Sequence, residues 1–366
     1  MTQAYGVRSF RRMSESQAAV VLLTPFFSIY AFLLIYPFFR GIWISLHDWN
    51  LMKVAINPDA KTFVGLKNYV HILWGSNILW SPLANGWVQF PAIIAVVLTA
   101  YFRWKQTIAE PQAIVVAAGG VFLFVISGFY PGVDGRWYDM RFWIALSNTI
   151  QFVALAVPSI TVISLTLAVA TNRQTRAMQV LRAIFFLSSV LSVTVVTLIW
   201  LIIFSPQQGL IANISDALFG VRVAWLTNQH LAMPAIVITT VWWSLGIAMI
   251  LFLAGLQDIN PEILEAGALD NAKGLRAFWY IILPNLRRTI TLVVVLQIIM
   301  HFQVFGQAHL MSEGGPNDST QVLVRYIYQT GFRDSDLGRA TAMAVLLFLI
   351  MGTFSLVQFV LGGEKE

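Results

Sequence analysis

A chain of 366 residues with 58% hydrophobic and only 11% charged side chains lacks the polar surface of a soluble domain, which carries about 25% charge. Its mean hydropathy of +0.72 places it instead in the all-α polytopic membrane class. The net charge of +6 comes without a Lys/Arg run of five or more, which speaks against a nucleic-acid partner, and the absence of cysteine excludes disulfides and thiolate metal sites.

Arg8, Arg11 and Arg12 precede an apolar run from about Ala18 to Phe39. That run is longer than a signal-peptide core and has no clear small-residue cleavage site, so it reads as a retained first span. A membrane helix needs roughly 20 mainly apolar residues. Candidate spans fall at 18–39, 87–102, 113–130, 143–170, 183–204, 233–256, 288–305 and 340–361, about eight transmembrane helices. The second and third are short, with only Arg103–Gln112 between them, and a re-entrant or interfacial hairpin is the alternative there. With both termini in the cytoplasm, the inside segments hold Arg103, Lys105, Arg173, Arg176, Arg182, Lys273, Arg276, Arg287, Arg288 and Lys365 as well as the three N-terminal arginines. That density of basic residues favours this orientation.

Sequence signals for chemistry are missing. There is no phosphate-binding Gly-x-x-x-x-Gly-Lys-Ser/Thr loop, no paired metal-ligating histidines and no nucleophile elbow. No catalytic or metal-binding residue is assigned, and an enzyme is not expected.

The polar island 258–286, lying between two apolar runs, is the most informative segment. Asn260-Pro261-Glu262 is a helix start: Asn as cap, Pro at the first helical position, the acid at the positive end of the dipole. Helix formers continue to Ala272, with Lys273 in the last turn and Gly274 at the stop; a second helix, Leu275–Leu283, closes at Pro284. Ile263, Leu264, Ala268, Leu269 and Ala272 line one side of this knob, which therefore wants a partner groove. An interfacial helix lying on the bilayer would be rich in Lys and Arg, whereas this one opens with Asp258, Glu262, Glu265 and Asp270.

The same loop resembles the cytoplasmic EAA loop of ABC-importer permeases, matching it at Glu265, Ala266, Ala268, Asp270, Ala272, Phe278, Ile281, Leu283 and Pro284. It departs at Gly267, where that family usually has Ala, and at Asn271, where it usually has Gly. Gly267 costs the first helix about 1 kcal/mol against Ala. Asn271 tolerates the left-handed conformation that Gly supplies. Other segments resemble the maltose-type, carbohydrate-uptake branch: Gly65-Leu66-Lys67-Asn68-Tyr69, Asn148-Thr149, Trp225-Leu226-Thr227, Leu253 to Gln257, Gly314-Gly315-Pro316 with Thr320, Tyr326-Ile327-Tyr328 and Leu337 to Ala340.

The resemblance implies a six-helix type I importer core plus an inserted hairpin. The expected layout is a cytoplasmic tail 1–17, the first span and outer loop 18–79, the insert 80–142, the core 143–361 with coupling loop 258–286, and a tail 362–366. The insert is either lipid-facing or a docking edge. Glu265, Ala266, Gly267, Asp270, Gly274 and Pro284 would couple to the ATPase, with Gly274 as the joint. Gln297 and His301 share one face of the seventh span, with Gln303 and Gln307 repeating the spacing, and Trp242, Trp243 and Ser244 lie on the sixth. By resemblance Gln297, His301, Trp243 and Ser244 are substrate-path residues whose amide, imidazole, hydroxyl and aromatic groups suit a neutral sugar. Interhelical hydrogen bonding and interfacial anchoring are the competing roles.

The family would make the chain one permease subunit in a bacterial cytoplasmic (inner) membrane. It would work with a second permease, two ATP-binding cassette ATPase subunits that bind the ATP, and an extracytoplasmic binding protein delivering the sugar. The chain itself would need no cofactor. A polyol or glycerol-phosphate solute is the alternative within this architecture. An ion-driven transporter is the alternative outside it, although the spans lack the Asp and Glu such a mechanism needs.

Overall fold

A computed structural model describes residues 14–74, 78–82, 85–105, 110–131 and 139–362. Arg8, Arg11, Arg12 and Lys365 lie outside them. Among the described residues, six helices are long and apolar enough to cross a membrane, and eight if two sharply bent pairs each count as one span. The first is α1 (Ala19–Ser45), none of whose most apolar window is buried within the chain. A π-helical turn, Ala31–Ile35, interrupts it.

Beyond α1 the chain forms a small outer-loop unit. Strand β1 (His47–Asp48) pairs antiparallel with β2 (Thr62–Phe63), and α2 (Leu51–Ile56) and α3 (Lys67–Leu73) flank the pair. Asn50 caps α2 by accepting from the Met52 and Lys53 amides. Strand β3 (Ile78–Trp80) then pairs with β4 (Phe129–Pro131), Trp80 lying opposite Phe129. That ladder closes the base of a hairpin made of α4 (Gly86–Trp104) and α5 (Glu110–Ser127), each of which qualifies as a span. The two helices approach closely at Gly120, where a Cβ would stand 2.6 Å from Val96 Cγ2.

The core is built on α6 (Met140–Thr171) and α10 (Ala232–Gln257), which pack along each other. Helix α10 is apolar all round because most of it is buried and its exposed stripe, Ile238, Trp242, Ile247 and Ile250, is apolar as well. Phe142, Phe152, Ile160, Met249 and Phe252 are essentially inaccessible between them. Where the sequence predicts one span over 183–204, the structure has two helices, α7 (Arg176–Val190) and α8 (Val193–Ile203), bent by 102°. Contacts from α10 are part of the physical cause. Trp243 Nε1 donates to Leu191 O at 3.0 Å, and Ser189 Oγ donates to Trp243 O at 2.9 Å. Gly246 lets α7 come within backbone distance, since a Cβ there would lie 2.6 Å from Phe185 O.

After α9 (Leu210–Phe219) and α10 come the knob helices α11 (Pro261–Leu269) and α12 (Leu275–Asn285), followed by α13 (Arg287–Phe302), which is bent by 70° from α12. Helix α13 lies against α6 and α10. Helices α14 (Gly306–Met311) and α15 (Leu323–Tyr328) frame a loop between α13 and the last span, α16 (Leu337–Gly362).

Candidate functional site

The knob begins as its residues require. Asn260 caps α11 by accepting the Glu262 amide at 3.0 Å, and Pro261 takes the first helical position. Its end differs from the expectation. The helix stops at Leu269, three residues before Ala272, because Asn271 turns left-handed at φ 58°. Ala272 N then donates to Gly267 O at 2.8 Å and Asn271 N to Ala268 O at 3.3 Å, the paired bonds of a Schellman close. Lys273 thus lies between the helices rather than in a last turn, and Gly274, φ 59°, precedes α12. Helix α12 also departs from the expectation: it does not close at Pro284 but runs on to Asn285. A π turn, Phe278–Ile282, carries the chain past the proline with Leu283 N donating to Phe278 O.

Gly267 has a packing reason that its helix propensity hides. It is the buried residue of α11, and a Cβ there would run into Ile281 Cδ1 from α12. The loosened helix is thereby locked to its neighbour. Glu265, Ala266, Asp270, Gly274 and Pro284 are all exposed. Around the acids stand Leu269 at 89% and Leu275 at 78% exposure, with Trp279 and Tyr280 also uncovered. The sequence pattern shows Leu269; Leu275, Trp279 and Tyr280 are exposed on α12, which packs beside α11.

The polar residues of α10, α13 and α14 are arranged differently from one another. Gln297 and His301 come together on α13, one turn apart, and both are buried. His301 Nδ1 lies 2.7 Å from Gln297 O. A carbonyl only accepts, so Nδ1 carries a proton. The ring stacks on Phe152 of α6 at 6.0 Å. Gln297 Oε1 is buried and accepts no hydrogen bond among the described residues. Trp243 and Ser244 lie half-buried on α10, and the indole N–H of Trp243 is committed to the α7–α8 break. Gln307 is buried on α14, whereas Gln303 is exposed.

A polar clamp joins the start of α6 to the loop before α15. Asn148 Nδ2 donates to Asp318 O and Gln321 O at 2.7 and 3.0 Å, Thr149 Oγ1 accepts the Leu323 amide, and Arg141 meets Asp318 at 3.5 Å. Asp139, capping α6 at Phe142 N, also accepts the Tyr326 hydroxyl at 2.8 Å. Burial, and then the Asp139 carboxylate, hold the Tyr326 phenol well above the usual tyrosine range.

Residues 160–362, from mid-α6 to the end of α16, match the family model described as "Binding-protein-dependent transport system inner membrane component". The chain belongs to this family of transport permeases. Its members are membrane components of transporters and not enzymes. The chain is 28% identical to the multiple sugar-binding transport system permease protein MsmF of Streptococcus mutans, over 74% of this chain and 98% of that one. It is 31% identical to the sn-glycerol-3-phosphate transport system permease protein UgpA of Brucella abortus, over 60% of this chain and 75% of that one. It also shares its fold with a subunit of a bacterial ABC transporter involved in import of the acidic polysaccharide alginate (TM-score 0.56, 22% identity, 61% and 79% coverage). The family region contains the knob, the α7–α8 break and the Gln297–His301 pair; the α4–α5 hairpin precedes it.

Proposed function

We propose that this permease passes a sugar or oligosaccharide across the bacterial cytoplasmic membrane, driven by ATPase subunits docked on α11 and α12. The observation that carries the reading is the knob: a compact, mutually locked helix pair that exposes Leu269 and Leu275 beside Glu265 and Asp270. Large exposed aliphatic side chains on a polar loop gain by entering a groove on another protein. Gly274, with its positive φ, lies between the two helices, and α12 leads through Leu286 into α13, so a displacement of the knob is delivered to the helix holding Gln297 and His301. A binding protein hands the solute to one of two states, and ATP-dependent docking shifts the balance between them.

The sugar assignment rests on the transport names of relatives such as MsmF and on the neutral polar pair in α13. Gln297 Oε1 is an acceptor unpaired among the described residues, which suits a donated hydroxyl proton. The likeness to UgpA favours glycerol phosphate as a second reading, but a phosphate needs donors or cations in the path. In the packing described here both side chains are covered, so solute reaches them when α13 turns about Leu286. A second permease is the partner for α1, whose apolar face its own chain leaves open. Both termini face the cytoplasm in this scheme, which puts the knob there as well.

The test is ATPase stimulation in a reconstituted complex of this chain with its partner permease, ATPase and binding protein. Stimulation by a carbohydrate supports the reading and names the solute. Stimulation by glycerol phosphate alone moves the assignment to the second reading, and failure of the ATPase to assemble removes the knob's role. Glu265→Lys is expected to abolish stimulated ATP hydrolysis while leaving insertion intact.

A further inference from the structure

The α4–α5 hairpin lies outside the family region, and its surface says what surrounds it. Its flanks expose Ile94, Val97 and Phe122, while Trp87 at one end and Trp104 at the other are 96% and 81% exposed. Tryptophans at both ends of apolar helices are the interface belts of a membrane span. The exposed flanks of the hairpin are therefore suited to hydrocarbon.

At the β3–β4 end, a cleft of about 400 Å³ separates the hairpin from the core. Val88, Leu123 and Ile126 form the hairpin wall; Trp74, Phe129 and Trp143 form much of the other. Several polar groups of the lining bond within the chain. Asn85 Nδ2 donates to Ser127 O at 2.9 Å, Ser127 Oγ to Leu123 O at 2.6 Å, and Trp143 Nε1 to Leu73 O at 3.2 Å. The Trp74 ring lies 4.6 Å from that of Phe129. A peptide or a sugar in this cleft would bring more polar groups than the lining can partner. A hydrocarbon chain brings none.

We propose that this cleft is a lipid site holding one acyl chain of a bilayer phospholipid. At about 30 Å³ for each water-sized group, it admits on the order of a dozen methylenes. Lipid tails are as apolar as leucine, so no hydrophobic force draws the chain in from the bilayer. Retention rests on dispersion contacts with the indole and phenyl walls, which an unfilled cleft would forfeit. The tail seals the hairpin to the core. This site is independent of the solute transported.

The experiment uses the full transporter in phosphatidylethanolamine–phosphatidylglycerol vesicles doped with a phosphatidylcholine that carries a diazirine at the end of one acyl chain. After illumination, adducts are mapped by peptide mass spectrometry. Labelling of Val88, Leu123 and Ile126 is expected to exceed that of Ile94, Val97 and Phe122 several-fold. Leu123→Trp and Val88→Trp, each placing an indole in the cleft, are expected to bring cleft labelling down to the level of the flanks without changing the flanks. Equal labelling of cleft and flanks in the unaltered protein overturns the proposal. The unaltered protein's map decides the matter even if a variant fails to fold.

Discussion

At the scale of single residues, Trp243 and Tyr326 show how much a polar tip on an aromatic ring does in this molecule. The Trp243 indole ties Leu191 O at the helix break, using a donor that the sequence alone leaves free for a solute. Tyr326 holds Asp139 at the start of α6. Tyr326→Phe leaves that buried carboxylate with the Phe142 amide alone among the described residues, at an expected cost of about 1–3 kcal/mol. Thermal unfolding of the purified chain measures it. The phenol's pKa is raised in the fold, so its contribution is complete below the ordinary tyrosine value of 10.0 and is lost as pH rises beyond it. The native protein should therefore lose stability above pH 10 more steeply than Tyr326→Phe, and parallel alkaline profiles for the two would contradict this role.

Helices α7 and α8 make the argument at the scale of elements. Neither Gly nor Pro interrupts 183–204, so hydropathy reads a straight span. The bend has a local part, the Ser192 cap that accepts the Val195 amide, and a distant part in Trp243 and Gly246, more than fifty residues away, which leaves no mark in a local window. By contrast the Asn260 cap and the left-handed Asn271 are local chemistry, and both were legible, as were the eight apolar runs. The early stop at Leu269 and the passage through Pro284 were not, since the Schellman bonds and the π turn outweigh the helix propensity of the intervening residues. For the candidate path, the pairing of Gln297 with His301 followed from their spacing; their burial depended on α6. Gly246→Ala is expected to push α7 off α10 and to cost about 1–3 kcal/mol, because the new methyl meets backbone atoms that have no alternative rotamer. A thermal midpoint unchanged by this variant would show that the two helices tolerate the separation.

For the whole molecule, the exposed apolar surfaces fall into two kinds. Helix α1 and the hairpin present broad aliphatic flanks suited to lipid or to a neighbouring span, whereas the knob presents a few large side chains among carboxylates. Leu269→Asp should accordingly leave membrane insertion untouched and abolish co-purification of the ATPase; retention of the ATPase would place its docking surface elsewhere.

The β3–β4 ladder has one further consequence. Trp80 and Phe129 are cross-strand neighbours, so the chain leaves and re-enters the rest of the protein at nearly one point. Each hairpin helix is long and apolar enough to cross a membrane, and two crossings restore the side from which the chain started. Such a segment is a cassette: it conserves both the parity of crossings and the coordinates of the chain on either side. A shortened gene that splices codon 80 to codon 129 through a tight turn should still yield a folded, inserted permease. If it does, the hairpin can be gained or lost over evolution in one step, without any helix of the core changing direction.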